Sequence, residues 1–290
     1  MWKQLCRQTG VLFMAVVTTD VAAQESGLRK AAMLYASFDA EVRADYGEGG
    51  REFGTRTGTP GDPATYVFKK GFDANLFRIA AGKGVHGGAL EALDIVPNSG
   101  RIFLPARGHL DFKKGGWGGA VSFWINTDPN ERLKTTFCDP VQITQKGANN
   151  GGIWIDFTSA KPRRDLRMGI FSAVPAGQKG IAEDDPQAPL VRVPGIAYRT
   201  GEWHHFVISW RNFDTGKADG HAELFIDGKP QGAVKDRAIA MDWDLDKAGI
   251  YVAVNYIGLL DELATFNRPL TPDEVSLLHR QPGVLAALKK

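Results

Sequence analysis

The chain has 290 residues, with 35 Lys and Arg against 33 Asp and Glu, 43% hydrophobic residues and 2 cysteines. That is globular composition for one large domain or two small ones, and it excludes a wholly disordered chain and a disulfide scaffold. The near-neutral charge leaves no electrostatic footprint for nucleic acid, so no such partner is expected.

Lys3 and Arg7 precede an apolar run from Val11 to Val17, and small residues follow at Val21-Ala22-Ala23-Gln24. A basic start, a short apolar centre and a small-residue exit predict a secretory signal over residues 1–24, cut near Ala23 or Gln24. The mature chain is then exported, to the periplasm, the cell surface or the medium. The alternative is a buried N-terminal helix. The apolar run is too short for a bilayer, which needs about 20 residues, so the chain is not expected to span a membrane. Cleavage leaves Cys138 as the single cysteine, so stability must come from the core or from a metal.

Beyond the signal, alternation dominates over helical periodicity. Short runs rich in β-branched and aromatic residues occur at 120–126, 141–145, 153–157, 166–171, 203–210, 221–226 and 250–254. Glycine and asparagine punctuate them, with Asp227-Gly228 a strong hairpin signal. Many short strands between turns predict an antiparallel sandwich or barrel. The stretches 55–63 and 175–194 read as long loops. A single short helix is expected after Thr271, which caps Pro272-Asp273-Glu274 and is followed by Val275, Leu277 and Leu278.

Several clusters could carry chemistry. Gly82-Lys-Gly-Val-His-Gly87 matches a dinucleotide fingerprint formally, but Pro97 leaves no room for the crossover helix, and turn geometry is the better reading. Trp117 lies among glycines, Trp243 among acids, and Tyr251 and Tyr256 near the late strands. Such rings suit the C–H faces of sugars, and Trp117, Trp243 and Tyr251 are the candidate ligand contacts; for the two tryptophans loop packing is the alternative. Lys161-Pro-Arg-Arg-Asp-Leu-Arg167 could grip an anionic polysaccharide or be a solvated loop. His204 and His205 face opposite ways on a strand and cannot chelate together. Asp242, Asp244 and Asp246 share a face if extended, yet lack the Gly and Glu of a calcium loop, which favours a solvated acidic loop around a packed Trp243. Asp261 sits in the apolar strand 257–266, where an unpaired carboxylate would be costly.

At Gly201-Glu-Trp-His-His-Phe-Val-Ile-Ser-Trp210, Ala222-Glu-Leu-Phe-Ile-Asp-Gly-Lys229 and 257–271 the chain resembles the LamG-like (laminin G-like) jelly-roll domains of the concanavalin A-like lectin/glucanase superfamily. Phe38-Asp39 resembles the opening strand and 121–125 the central one. The resemblance implies an all-β, two-sheet antiparallel jelly-roll sandwich over 25–282, with one short C-terminal helix and a tail at 283–290. Some members carry a structural calcium near the rim. Because the resemblance brings the first and last strands together, Asp39 and Asp261 are the expected metal ligands, with backbone N–H groups or Arg268 as the alternative partner of Asp261. No organic cofactor is expected.

Some relatives are hydrolases or lyases, but the Glu-x-Asp-x-(x)-Glu run of laminarinase-like members is missing, and Thr144 stands where lyases of this fold carry His. No serine-hydrolase elbow occurs. No catalytic residue is therefore assigned. The expected function is a non-catalytic module that binds a glycan or an extracellular protein. A carbohydrate-active hydrolase or lyase and a structural adhesion protein stand as alternatives.

Overall fold

The computed structural model describes residues 21–59, 61–97, 100–135, 137–159 and 163–289. The expected signal peptide falls mostly outside them. Its last residues, 21–24, lie in a helix, α1, that covers 21–31. This helix lies beyond the apolar run for which a buried helix was the alternative, and Gly27 and the exit of the signal conceal its face, on which Leu28 and Ala31 are buried.

The strands follow in chain order. They are β1 (Ala32–Ala36), β2 (Tyr46–Gly47), β3 (Gly54–Thr57), β4 (Val67–Lys70), β5 (Phe77–Ala80) and β6 (Ala89–Ala92). Next come β7 (Ile102–Pro105), β8 (Trp117–Asn126), β9 (Cys138–Thr144), β10 (Gly152–Phe157), β11 (Leu166–Phe171) and β12 (Leu190–Val193). Then follow β13 (His204–Phe213), β14 (Gly220–Ile226), β15 (Lys229–Arg237), β16 (Gly249–Val254), β17 (Gly258–Phe266) and the helix α2 (Pro272–Arg280).

They form two antiparallel sheets. The first runs β15-β14-β13-β8-β17-β1-β2, with β6 also paired to β17 and β5 to β6. The second runs β12-β11-β10-β9-β16-β7-β3-β4. The expected pairing of first and last strands is present: Ala32 faces Phe266 and Ala36 faces Leu263. Asp227-Gly228 makes the predicted hairpin, with φ of 50° and 75° between the paired Ile226 and Lys229. Thr271 and Glu274 form a capping box at the start of α2.

Alternation sorts the faces. Val121, Phe123 and Ile125 of β8 meet Val141, Ile143, Ile250 and Val252 of the second sheet in the central core. The outer face of the first sheet is covered. Tyr35, Ala120, Val207 and Phe266 pack there against Leu28, Ala31, Val275, Leu278 and Leu285 of the two helices and the following segment. The segment expected as a tail is thus packed through residue 289. The second sheet turns its outer face elsewhere.

Two arginines of the basic run at 161–167, Arg164 and Arg167, are absorbed by the fold rather than held out to a ligand. Residues 161 and 162 lie outside the described residues. Arg164 is 2% exposed, and its guanidinium donates to the carbonyls of Leu133 (2.7 Å), Thr135 (3.0 Å) and Thr158 (2.7 Å). Arg167 is buried against Asp156 and bridges to Glu183 at 2.7 Å. Removing the Arg164 donor orphans three carbonyls at once. Arg164→Met should lower the unfolding free energy in urea by about 3 kcal/mol. Arg163→Met, at an exposed position, should change it by no more than about 0.5 kcal/mol.

Candidate functional site

The site is a groove of about 350 Å³ on the outer face of the second sheet. Its floor follows from strand periodicity. Gln142 and Thr144 alternate with the core residues Val141 and Ile143 on β9, and Tyr251 with Ile250 and Val252 on β16. Register puts Tyr251 directly opposite Gln142 on one side and Phe103 on the other. The walls are Arg56 and Thr57 of β3, Gly58, Gly61 and Tyr66 from the loop after it, Arg101 before β7, and Lys146 and Gly147 after β9. None of the described residues that line it is Asp or Glu.

Arg56 is fixed by stacking. Its guanidinium lies 3.6 Å from the Tyr66 ring centre and 4.8 Å from that of Tyr251, and it donates to the carbonyls of Gln145 and Lys247. Phe103 braces Tyr251 from behind, ring centres 5.0 Å apart. A Cβ on Gly249 would lie 1.8 Å from the Phe103 ring, so that glycine makes room for the ring beside Tyr251.

Three polar groups of the groove, two on its floor and one on its wall, lack protein partners. Tyr251 is 5% exposed, and its hydroxyl makes no hydrogen bond. The side-chain amide of Gln142, 7% exposed, has none within the described residues either. The third is the buried Nε of Arg101. Burial pushes the Tyr251 phenol up and the Arg101 guanidinium down in pKa. Native structures leave few such groups unsatisfied, and a cluster of them marks a place where something else supplies the partners.

Beside the groove, Asp139 and Asp156 project from the same face of neighbouring strands. Burial, then the nearby Asp156, pushes Asp139 well above the usual carboxylate range. Burial also raises Asp156, although Arg167 opposes it. Neither lines the groove.

Of the residues expected to touch a ligand, Tyr251 lies in the groove, whereas Trp117 and Trp243 do not. They are 6% and 5% exposed and pack on one another, ring centres 5.7 Å apart, with Phe112, Trp210 and Phe213 filling the remaining faces around Trp117. Their N–H groups are satisfied too, by Asp214 at 3.0 Å and the Gly151 carbonyl at 2.8 Å. No ring face is left for a sugar. Gly115-Gly116 and the acids around Trp243 disguise these residues as loop aromatics, although β8 begins at Trp117. Conversely, Gln142, Arg101 and Arg56 were missed. Their only signal is that Gln142 alternates with apolar neighbours, which marks an outward face and nothing more.

The acidic run is not a shared site. Asp242 pairs with Lys114 at 3.2 Å, Asp246 with Arg107, and Asp244 accepts the N–H of Asp246 within a turn. It is the solvated loop around a packed Trp243.

Asp39 and Asp261 meet one loop, and the glycines read earlier as turn residues make this possible. A Cβ on Gly87 would collide with the Asp39 carboxylate, and one on Gly84 with that of Asp261. Asp39 accepts the N–H of Gly88 and the ammonium of Lys289. Asp261, fully buried, accepts N–H groups of His86 (3.2 Å) and Glu262 (2.8 Å), the alternative named for it. These donors do not fit a calcium ion. Lys289 already neutralises Asp39, and among the described residues no group of three or more His, Cys, Asp or Glu could hold a metal.

Glu262 does not point to solvent. A bulge between Asp261 and Ala264, with Glu262 at φ 52°, turns it into a buried position where it accepts from Tyr35 Oη (2.8 Å) and the N–H of Gly283 (2.9 Å).

Residues 104–276, more than half of the chain, match the family Laminin_G_3 of the concanavalin A-like lectin/glucanases superfamily, and the chain belongs to that family. Among solved structures it is similar to domain 4 of AbnA, a GH43 extracellular arabinanase from Geobacillus stearothermophilus, in complex with arabinotriose. There the identity is 19%, over 90% of this chain and all of that one, with a TM-score of 0.48. It is also similar to the binding domain of Paraclostridial Mosquitocidal Protein 1, at 13% identity, 87% and 52% coverage and a TM-score of 0.48. The botulinum neurotoxin serotype D ligand binding domain in complex with N-acetylneuraminic acid gives 12%, 89%, 52% and 0.44. This chain spans about half the length of those two toxin structures. None of these values transfers a ligand to it. No curated protein matches the chain.

Burial, then the charge of Glu262, raises the Asp261 pKa to about 8, and burial raises that of Glu262 to about 7. Both folded values exceed the ordinary ones, so the stabilisation is complete below the ordinary carboxylate range and is lost as pH rises through 7 and 8. His205 opposes this only in acid, because burial holds its pKa down to about 3 and it is neutral in either state above its ordinary 6.5. The melting temperature should therefore fall between about pH 6.5 and pH 8.5, and Asp261→Asn should flatten the fall; a level wild-type profile would contradict the assignment. Chelator should leave the melting temperature unchanged, and a drop would restore calcium to the Asp39–Asp261 loop.

Proposed function

We propose that the chain is an exported, non-catalytic binding module that holds a glycan in the groove between Arg56, Arg101, Gln142 and Tyr251. One observation carries the reading: the Tyr251 hydroxyl is buried at the groove floor with no protein partner, directly opposite Gln142, whose side-chain amide makes no hydrogen bond to a described residue. Sugar hydroxyls donate and accept at once, and so suit both groups. The laminin G-like family supports a binding role. The basic, apolar and small-residue succession at 1–24 supports export. A cut near Gln24 would spare Leu28 and Ala31, which α1 contributes to the packing.

A hydrolase would need a proton donor and a base or nucleophile beside the bound sugar, and no carboxylate lines the groove among the described residues. Adhesion to a protein through another surface is the competing outcome.

Retention on a glycan array, followed by calorimetry on the best ligand, tests the proposal. Tyr251→Phe keeps the ring and removes only an unsatisfied hydroxyl. It should weaken binding by about fivefold to tenfold without lowering the melting temperature. Gln142→Ala should weaken binding at least as much. Retention unchanged in both variants would move the ligand to another surface, and turnover of the bound glycan would make the protein an enzyme.

A further inference from the structure

We propose that the groove is selective for acidic saccharides, with the carboxylate or sulfate of a uronate or sulfated sugar seated on Arg101 and Lys146 at the edge. The proposal rests on the glycan-binding reading and adds the charge of the ligand.

The charge inventory carries it. The titratable side chains lining the groove, apart from its two tyrosines, are Arg56, Arg101 and Lys146, with no carboxylate among the described lining residues. Arg56 is committed to the stack on Tyr66 and Tyr251 and to two backbone carbonyls. Arg101 differs. No described residue makes a hydrogen bond or ion pair with it, and its Nε is buried. The acid that acts on it is Asp139, which does not line the groove and whose pKa burial pushes well above the usual carboxylate range. Lys146 has only the long 3.9 Å approach to Asp242.

A guanidinium partly withdrawn from water without an anion carries a desolvation cost that no paired charge offsets, and Arg101 is half-buried with its Nε out of reach of water. Elsewhere in this chain the same problem is solved internally: Arg167 is paired with Asp156 and Glu183, and Arg268 with Glu274. At Arg101 the partner is missing, and the space in front is open groove. The guanidinium fork matches the two oxygens of a carboxylate or sulfate.

A bare anion would leave the Gln142 amide and Tyr251 hydroxyl unsatisfied, whereas a sugar ring carries hydroxyls to both. The volume of about 350 Å³ is at the small end of ligand sites and suits a short saccharide rather than a helix about 10 Å across.

Calorimetry with the full chain would compare trigalacturonate, its methyl ester, a heparin-derived tetrasaccharide, inorganic sulfate and a hexa-aspartate peptide. At least one of the two acidic saccharides should bind about tenfold or more tighter than the methyl ester, and Arg101→Met should remove about tenfold of that affinity. Lys146→Met, which removes a point charge rather than a fork, should cost about twofold to fivefold and flatten the salt dependence. If Arg101→Met does not fold, Lys146→Met and the salt dependence of the wild type decide the matter. Equal binding of acid and ester, insensitive to salt, would overturn the charge assignment and leave the binding module standing. Failure of every saccharide, neutral ones included, would overturn both. Sulfate as tight as the saccharides, or a tighter acidic peptide, would overturn the ligand class.

Discussion

The antiparallel pairing of β1 with β17 is the contact on which the molecule closes. It joins residues more than two hundred positions apart, Ala32 to Phe266 and Ala36 to Leu263, and sets β17 between β1 and the central β8. Without it β17, which β6 covers only at its start, would have an open edge from Leu263 to Phe266, and neither helix would have a continuous apolar surface to cover. The same strand is bulged at Asp261. That irregularity lets two consecutive acids enter the protein instead of alternating across it, and the Gly84–Gly88 loop, Tyr35 and the segment after α2 gather around them.

With the sandwich closed, each sheet has one face left over, and the two are treated in opposite ways. The first sheet's is apolar and lies under helices. The second sheet's carries Tyr251, Gln142, Thr144, Asp139, Asp156 and Arg167, and neither described α-helix covers it. Polar side chains on a sheet are unremarkable where water reaches them. Here they are largely withdrawn from it by the surrounding loops, which sharpens every electrostatic interaction they make. Arginines that find a carboxylate become struts, as Arg167 does. Arg101, which has neither a carboxylate nor a carbonyl partner among the described residues, is left facing the groove.

How much could be read from the residues alone varied with the range of the interaction responsible. The strands with strong alternation, the Asp227-Gly228 turn and the Thr271 cap are local signals, and each stands where the sequence puts it. The short strands β2 to β7 were not legible, because runs such as Val67-Phe-Lys-Lys70 owe their conformation to neighbours rather than to their own pattern. Trp117 and Trp243 look alike from sequence whether they meet a sugar or each other; only tertiary packing distinguishes the two. Strict alternation, to which a bulge is invisible, would turn Glu262 to the face opposite Asp261 rather than into the protein beside it. The groove itself is a product of register: Gln142 acquires meaning only once β16 sets Tyr251 opposite it.

Cys138 shows what that packing does for the chain's chemistry. Its thiol is fully buried at the start of β9 and contacts Thr135 Oγ1, and burial raises its pKa. Thiolate is the form that oxidants and disulfides attack, and here it is both scarce and out of reach. The sulfur can therefore stay reduced in an oxidising milieu without crosslinking one copy to another, and the side chain serves as a small hydrophobe rather than as a redox liability.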